Sequence, residues 1–512
     1  MTSAPLPEGR LRLASSRLRA FDRSVWLPPL IGAAILLLIS IVALVAPAAL
    51  RGSSVLAAAC VLFLLAYVAW PKPTLLVFAL FVLFYHTIGR WLTPDLRHID
   101  EILVPVLFVL AFLRTKPWRR GVIEPVREGS LLVMLVAGIG SSLVNGVPAS
   151  VWLLGLLLLF KMFAFFYIAL WHDFNEADVR QLYPLVLAIG IVVIALVPFE
   201  VADPDRFRSI LNLSDISTPR VGLPSVKSLF FRPILFSWFT AFVGLFLVAG
   251  YVYLRRWWLL VGAALFGAAT ILSGRRRAIS GVAVALIAGV AGTWGAKHSW
   301  RAALRSWWPV AAGSLLLGIL FLPSLIGLAD MTVGAGPEPP DARVALYRTS
   351  VLIARDRFPF GVGLGRYGSG TSRDPYSPVY HEYGLDQIDG LSPQHSAFIS
   401  DTFWPRILGE TGVIGLVALL VFTAVLTIQI WRAALAKHTD LLIRAFLLGA
   451  WMVFVQSLVE TLASSMFDSP PRIYLLFGTV AVALAIARRS QSPASVAGTA
   501  IAGHAERSGV QP

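Results

Sequence analysis

The sequence predicts an all-α polytopic membrane protein, with about 12–14 transmembrane helices and one long extracytoplasmic loop. Three observations carry that expectation. Of 512 residues, 57% are hydrophobic and only 14% are charged, against about a quarter charged in soluble domains. Apolar stretches of roughly 20 residues, enough to cross a bilayer, recur along almost the whole chain. The basic residues gather mainly in the short links between those stretches. A soluble fold of this composition would expose far more apolar surface than soluble proteins tolerate.

Taken in order, residues 1–26 form a basic N-terminus carrying Arg10, Arg12, Arg17, Arg19 and Arg23. The apolar run that follows is too long for a cleaved signal and reads as a retained first helix. Spans are expected at 27–48, 54–70, 73–91, 99–114, 130–145, 150–170, 181–199, 233–254, 257–272, 278–296 and 307–328. The stretches 99–114 and 130–145 are short for a crossing. Residues 27–329 thus hold helices and a polar outer loop near 200–232. Residues 330–408 form the large extracytoplasmic loop. Residues 409–489 return to the membrane, with helices at 411–431, 441–461 and 472–488. The Ser/Ala/Gly-rich segment 490–512 reads as a disordered cytoplasmic tail.

The net charge is +15, from 43 Lys and Arg against 28 Asp and Glu. Short basic loops point to the positive-inside bias of membrane proteins, and no nucleic-acid partner is expected. A basic surface also suits membrane lipids. Cys60 is the one cysteine, which excludes an internal disulfide and a Cys-based metal site. No His/Asp/Glu grouping has metal-ligand spacing, so neither metal nor cofactor is expected.

With the N-terminus inside, alternation places Arg114, Lys116, Arg119, Arg120 and Arg127 in the cytoplasm. It does the same for Arg255 and Arg256, for Lys297, Arg301 and Arg305, for Arg432 and Lys437, and for Arg488 and Arg489. One cluster breaks the rule. Arg275, Arg276 and Arg277 fall in a turn placed outside. A miscounted helix would explain them only by inverting every later cluster. The functional reading, beside that one, is an anion site at the outer face.

The loop 330–408 is far longer than ordinary connections, and its Tyr347, Tyr367, Tyr376, Tyr380, Tyr383 and Trp404 give it the means to order itself. Within it, Arg343–Arg355 has a helical pattern that Pro359 and Gly361 stop. The run Gly361, Gly363, Gly365 follows no strand and opens no dinucleotide-binding unit. Its physical use is a tight turn that lets backbone approach a substrate. At the far end, Asp401, Trp404, Arg406 and Glu410 stand at headgroup level. Trp404 can anchor at the interface, Asp401 can cap a helix and Glu410 can pair with an arginine; equally, the group can serve a ligand. Arg206, Arg208, Arg220, Lys227 and Arg232 bring further cations to the same face. Arginine grips phosphate oxygens bidentately, so the charges suggest an anion presented at the outer leaflet. A lipid-linked pyrophosphate meets that description, and so does a soluble organic anion being transported. Lys161, near mid-span, faces a cavity or partner, or snorkels. Gln456, Ser457 and Glu460 either line a cavity or pack helices.

Three pieces in order resemble the superfamily of bacterial O-antigen ligases and O-antigen (Wzy-type) and exopolysaccharide polymerases. LSGRRRAISGVAVAL (Leu272–Leu286) is similar to the family's Ser-Arg-Gly-Ala helix start. RVALYRTSVLIARDRFPFGVGLGRY is similar to its Arg…Trp…Pro-(hydrophobic)-Gly-x-Gly pattern. DTFWPRILGETGVIGL (Asp401–Leu416) is similar to its closing element, which often reads His-Asn-x-Tyr-Leu…Glu-x-Gly…Gly. The resemblance covers roughly residues 205–430. Aligned from Glu410 and Gly412, the family's closing His falls on Asp401 and its Asn on Thr402, while His395 stands six residues earlier. An Asp-x-x-(Trp/Tyr) version looks more like the polymerase branch.

The resemblance implies a metal-independent, GT-C-like glycosyltransferase of the bacterial cytoplasmic membrane. Its termini would be cytoplasmic and its active site on the outer face. Its substrate would be a polyprenyl-pyrophosphate-linked glycan and its product a cell-surface polysaccharide; a chain-length regulator is a further implied partner. The catalytic residues expected are Asp401, Arg276 and Arg277. The substrate-binding residues expected are Arg220, Arg232, Arg275, Arg343, Arg366, Tyr367, Trp404, Glu410 and His395, with Arg220 or Arg232 filling the family's upstream arginine. A ligase passing finished glycan to a lipid or protein is the alternative within the class. A flippase or transporter of an anionic lipid-linked substrate is the alternative outside it; it would call for repeated halves and mid-bilayer charges.

Overall fold

The computed structural model describes residues 53–91, 96, 98–119, 122–211, 223–297, 299–322, 342–436 and 438–490. The expected first helix at 27–48, the candidate Arg220 and the tail beyond 490 lie outside these residues. No β-strand occurs among the described residues.

Among the described residues, fourteen longer helices build the frame: α1 (Ser53–Ala69), α2 (Pro71–Trp91), α3 (Ile99–Thr115), α4 (Pro125–Val144), α5 (Ala149–Trp171), α6 (Glu176–Ala195), α7 (Pro233–Leu254), α8 (Trp257–Leu272), α9 (Arg276–Lys297), α10 (Trp300–Leu320), α11 (Ala342–Asp356), α12 (Trp404–Leu435), α13 (Leu441–Thr461) and α14 (Arg472–Ser490). Ten helical segments among the described residues are long and apolar enough to cross a membrane. The chain is therefore an all-α, multi-pass membrane protein. The shorter α1 and α8 are apolar as well.

Boundaries follow local chemistry. Pro233 starts α7 at the first helical position, where a missing N–H costs nothing. Asn175 opens α6 with a capping box to Asp178. The span expected at 130–145 begins five residues earlier, because the Glu124 carboxylate accepts the Val126 and Arg127 N–H groups and Pro125 follows it. That extension makes α4 long enough to cross. The span expected at 307–328 instead runs from Trp300 to Leu320. The one expected at 411–431 becomes a 32-residue helix broken at Gly412, whose φ of 71° and ψ of −168° are not helical.

Successive helices run in alternating directions along the chain, and side-chain contacts mark the two ends. At one end, Lys72 pairs with Asp178 at 2.7 Å, and Arg180 with Asp440 at 2.6 Å. Arg489 pairs with Asp173 at the same end. The other end carries the segment 342–403 and is called the loop end below. Between them, α7 packs between α8 and α13, α9 lies on α13, α14 on α5, and α4 along α12. Phe163, Phe166, Trp238, Phe239 and Met452 lie in one continuous apolar core.

Lys161 is accounted for by a partner. Its ammonium donates to the buried Asp100 carboxylate at 3.0 Å and lies 3.6 Å from Glu101. Tyr474 donates to the same Asp100 oxygen at 2.7 Å. This network ties α3, α5 and α14 together, since a buried charge persists only when paired and hydrogen-bonded.

The segment 342–403 has a small core of its own around Leu346, Ile353, Tyr367 and Tyr380. It docks through the glycine run. The Gly361 N–H donates to Ser141 Oγ at 3.1 Å, and Asn145 donates to the Gly361 carbonyl at 2.8 Å. The Val362 N–H donates to the Gly409 carbonyl at 2.8 Å. The run was expected to bring backbone close to a substrate; it brings it close to the chain's own α4 and α12. A Cβ on Gly361 would sit 2.1 Å from the Gly409 oxygen, which forces backbone apart. Gly361→Ala is therefore expected to lower stability by about 1–3 kcal/mol or more. Thermal unfolding in detergent micelles reads it, together with faster protease cleavage within 342–403.

Candidate functional site

Cations at a helix N-terminus meet the positive end of the macrodipole, so arginine is locally disfavoured there. Four helices at the loop end nevertheless begin on arginine. Arg232 is the N-cap of α7. Arg276 and Arg277 open α9, Arg406 lies in the first turn of α12, and Arg472 is the first residue of α14. Each needs negative charge from elsewhere.

Arg406 finds it within the protein. It is fully buried between Glu410, at 3.1 Å, and Asp468, which it contacts more closely. Glu410 also accepts the Tyr367 N–H at 3.3 Å. This triad clamps the segment 342–403, the start of α12 and the 462–471 link together.

Arg472 finds less. It is only 3% exposed. Among the described residues its one ion pair is with the buried Glu460, at 3.8 Å, and its Nε and Nη1 have no hydrogen-bond partner. Arg277, Arg232 and Asp401 all stand near enough to act on its charge. Arg277 in turn donates to the Ala463 carbonyl at 2.7 Å, just past the end of α13. Asp401 is 27% exposed and is gripped by Arg343, with Nε donating to Oδ2 at 2.8 Å. The neighbourhood is thus rich in guanidinium groups, and one of the two carboxylates near Arg472 is already engaged.

Two more arginine contacts extend this face. Arg90, at the end of α2, lies over the Phe231 ring at 4.6 Å, and Arg232 approaches the same ring at 5.3 Å. His86 stacks on that ring at 5.3 Å. Nearby, an apolar groove lined by Leu245, Ala263, Val282, Ala283 and Leu317 runs between α7, α8, α9 and α10. It includes Ile271 and Ile279, the residues on either side of the arginine turn.

The structure sorts the expected residues. Arg232, Arg277, Arg343 and Asp401 come together around Arg472, and Arg275 and Arg276 lie partly buried on the turn beside Arg277. Trp404 is half-buried and donates to Thr461 Oγ1 at 3.0 Å, so it joins α12 to the end of α13. Asp401 does not cap α12, whose N-cap is Phe403.

Other expected ligand contacts are placed differently. Tyr367 is fully buried; its hydroxyl donates to the Leu346 carbonyl at 2.6 Å and its ring stacks on Tyr380. Glu410 is fully buried in the Arg406 triad. Packing occupies both, so they support the site from within and present no face to a ligand. His395 is engaged by Asp389 at 2.7 Å, not by Asp401. Arg366 is partly buried, and among the described residues no ion pair ties it to the cluster. Burial holds the Tyr380 phenol above its usual range and, with Asp386 nearby, pushes Tyr376 up to about 12. Both stay neutral.

Sequence reasoning passed over Arg472, Arg90 and Asp468. Arg472 stood at the boundary of an expected span, where a basic residue reads as an ordinary flank. Its signal was the wrong end: it opens a helix at the face where Arg275–Arg277 were already anomalous. Gln456 and Ser457 turn out to pack helices, with Trp238 donating to Ser457 at 3.3 Å, while Glu460 holds Arg472.

No protein-family model and no curated protein matches this chain.

Burial separates the two arginine–carboxylate contacts in energy. Arg406→Leu strands Glu410 beside Asp468 and is expected to cost about 3–5 kcal/mol. Arg343→Ala, at a part-exposed pair, is expected to cost about 1 kcal/mol or less. Thermal melts of the two purified variants check the contrast.

Proposed function

We propose that this protein is a glycosyltransferase that polymerises polyprenyl-pyrophosphate-linked oligosaccharide units at the outer face of the bacterial cytoplasmic membrane. The observation that carries the reading is Arg472: buried, with two guanidinium nitrogens unsatisfied among the described residues, and close to Arg232 and Arg277 at helix N-termini. A pyrophosphate meets the exposed Arg232 and the half-buried Arg277 and brings negative charge to the buried Arg472 beside them. The similarity of the 272–286, 343–367 and 401–416 segments to O-antigen polymerases and ligases supports the same substrate class. So does the groove beside the arginine turn, which offers an isoprenoid tail an apolar path from the bilayer.

The chemistry follows from the arrangement. The acceptor hydroxyl oxygen attacks the anomeric carbon. The bond from that carbon to the pyrophosphate oxygen breaks, and its electron pair leaves with the pyrophosphate. Arg472, Arg277 and Arg232 stabilise the charge that develops there. Asp401 accepts the hydroxyl proton; Arg343 holds its Oδ2, which leaves Oδ1 to meet the acceptor. Arg276 and Arg275 extend the positive field at the mouth.

Reconstitution in liposomes with a lipid-linked repeat unit tests the reading. The wild-type protein is expected to give a ladder of chain lengths. Arg472→Ala and Arg277→Ala are expected to slow chain growth on the order of 10²–10³-fold each, as for loss of one charge-stabilising donor. Arg276→Ala and Asp401→Asn are expected to lose it too. Normal ladders in all four folded variants would sink the proposal. Transfer of one finished glycan to an added acceptor, without a ladder, would indicate a ligase. Movement of the lipid across the bilayer without bond cleavage would indicate a flippase.

A further inference from the structure

Helix α11 is amphipathic in an unusual sense. One face packs into the loop's own core through Ala342, Leu346, Thr349 and Ile353. The opposite face carries Val344, Arg348, Val351, Leu352 and Arg355, which recur at helical spacing and form one stripe. Among the described residues these stay uncovered: Val344 is 43% exposed, Val351 61% and Leu352 47%. Phe358, just past the helix, is 72% exposed. Asp356, the acidic residue of α11, lies in its last turn off that stripe and accepts from Tyr383 at 3.3 Å.

The position of this face is fixed. Tyr347, at the edge of the stripe, donates to the Leu462 carbonyl at 2.8 Å. Leu462 is the residue immediately after α13, a candidate membrane span, and is itself 62% exposed. The apolar stripe therefore borders the level at which a span leaves the bilayer. Apolar side chains interspersed with arginine, at that height, are the signature of a helix lying in the interfacial plane. Arginine there finds lipid phosphates.

We propose that α11 and Phe358 rest on the leaflet at the loop end. Val344, Val351, Leu352 and Phe358 enter the headgroup–acyl boundary, and Arg348 and Arg355 bind phosphates of anionic phospholipids. The loop is then supported from below by lipid as well as from the side by α4 and α12. This requires only that the helices span a bilayer; it does not depend on the reaction catalysed.

The full-length protein allows a direct test, because its one cysteine can be removed. In a Cys60→Ser background, nitroxide labels are placed through Val351→Cys, Phe358→Cys and, as a water-exposed control in the same loop, Gln394→Cys. The labelled proteins are reconstituted in liposomes of phosphatidylethanolamine and phosphatidylglycerol. Paramagnetic-resonance collision rates are then compared for oxygen, which concentrates in lipid, and a soluble nickel chelate. Oxygen is expected to dominate at 351 and 358, and nickel at 394. Raising the phosphatidylglycerol fraction is expected to shift 351 and 358 further toward oxygen. Nickel dominance at 351 and 358 would overturn the proposal. So would dipolar broadening between labels at 351, which would give the face to a second copy of the chain.

Discussion

The loop end is organised by a conflict of charge. Helix N-termini carry partial positive charge, yet α7, α9, α12 and α14 present arginine there. Such an arrangement stands only if anions are supplied. The protein supplies them unevenly. Arg406 receives two carboxylates and becomes a structural clamp. Arg472 receives one, at a longer distance, and among the described residues it keeps two unsatisfied donors where Arg406 keeps one. The same local rule thus yields a tightly paired arginine at one helix start and a sparsely paired one at the next. The difference lies in Asp468 and Glu410, which converge on one arginine and leave the other to Glu460.

Around that contrast the remaining structure divides into support and exposure. The glycine run, the Ser141 and Asn145 contacts and the buried tyrosines hold the segment 342–403 against α4 and α12. Asp401 and Arg343 sit at its rim, where part of each side chain reaches solvent. The segment thus combines rigid backing with a carboxylate that reaches solvent. The Asp100–Lys161–Tyr474 network performs a parallel task deeper in the bundle, joining helices that otherwise meet through apolar packing.

Much of the helical frame was legible from the sequence, because hydrocarbon thickness dictates span length and proline and glycine punctuate the ends. The departures came where a side chain extends or breaks a helix: Glu124 lengthens α4, and Gly412 interrupts α12 while the helix continues beyond it. The anomalous Arg275–Arg277 turn was legible by parity. Its partners were not, since Arg472 and Arg277 are far apart in the chain and only the packing of α9 and α14 on α13 brings them together. Tyr367 and Glu410 show the converse. Their residue types suggested a ligand, but burial is a tertiary property, and it assigns them to the interior.

Helix α14 bears on the order of assembly. It contributes Arg472 at one end and the Arg489–Asp173 ion pair at the other, and it is the last of the described helices to be synthesised. Earlier helices can enter the bilayer one after another, as chains are made from the N-terminus. Until α14 arrives, Glu460 lacks Arg472 and the arginine cluster of the loop end is incomplete. Translation therefore leaves that cluster unfinished to the end, and a nascent chain halted before α14 would lack both of that helix's ion pairs.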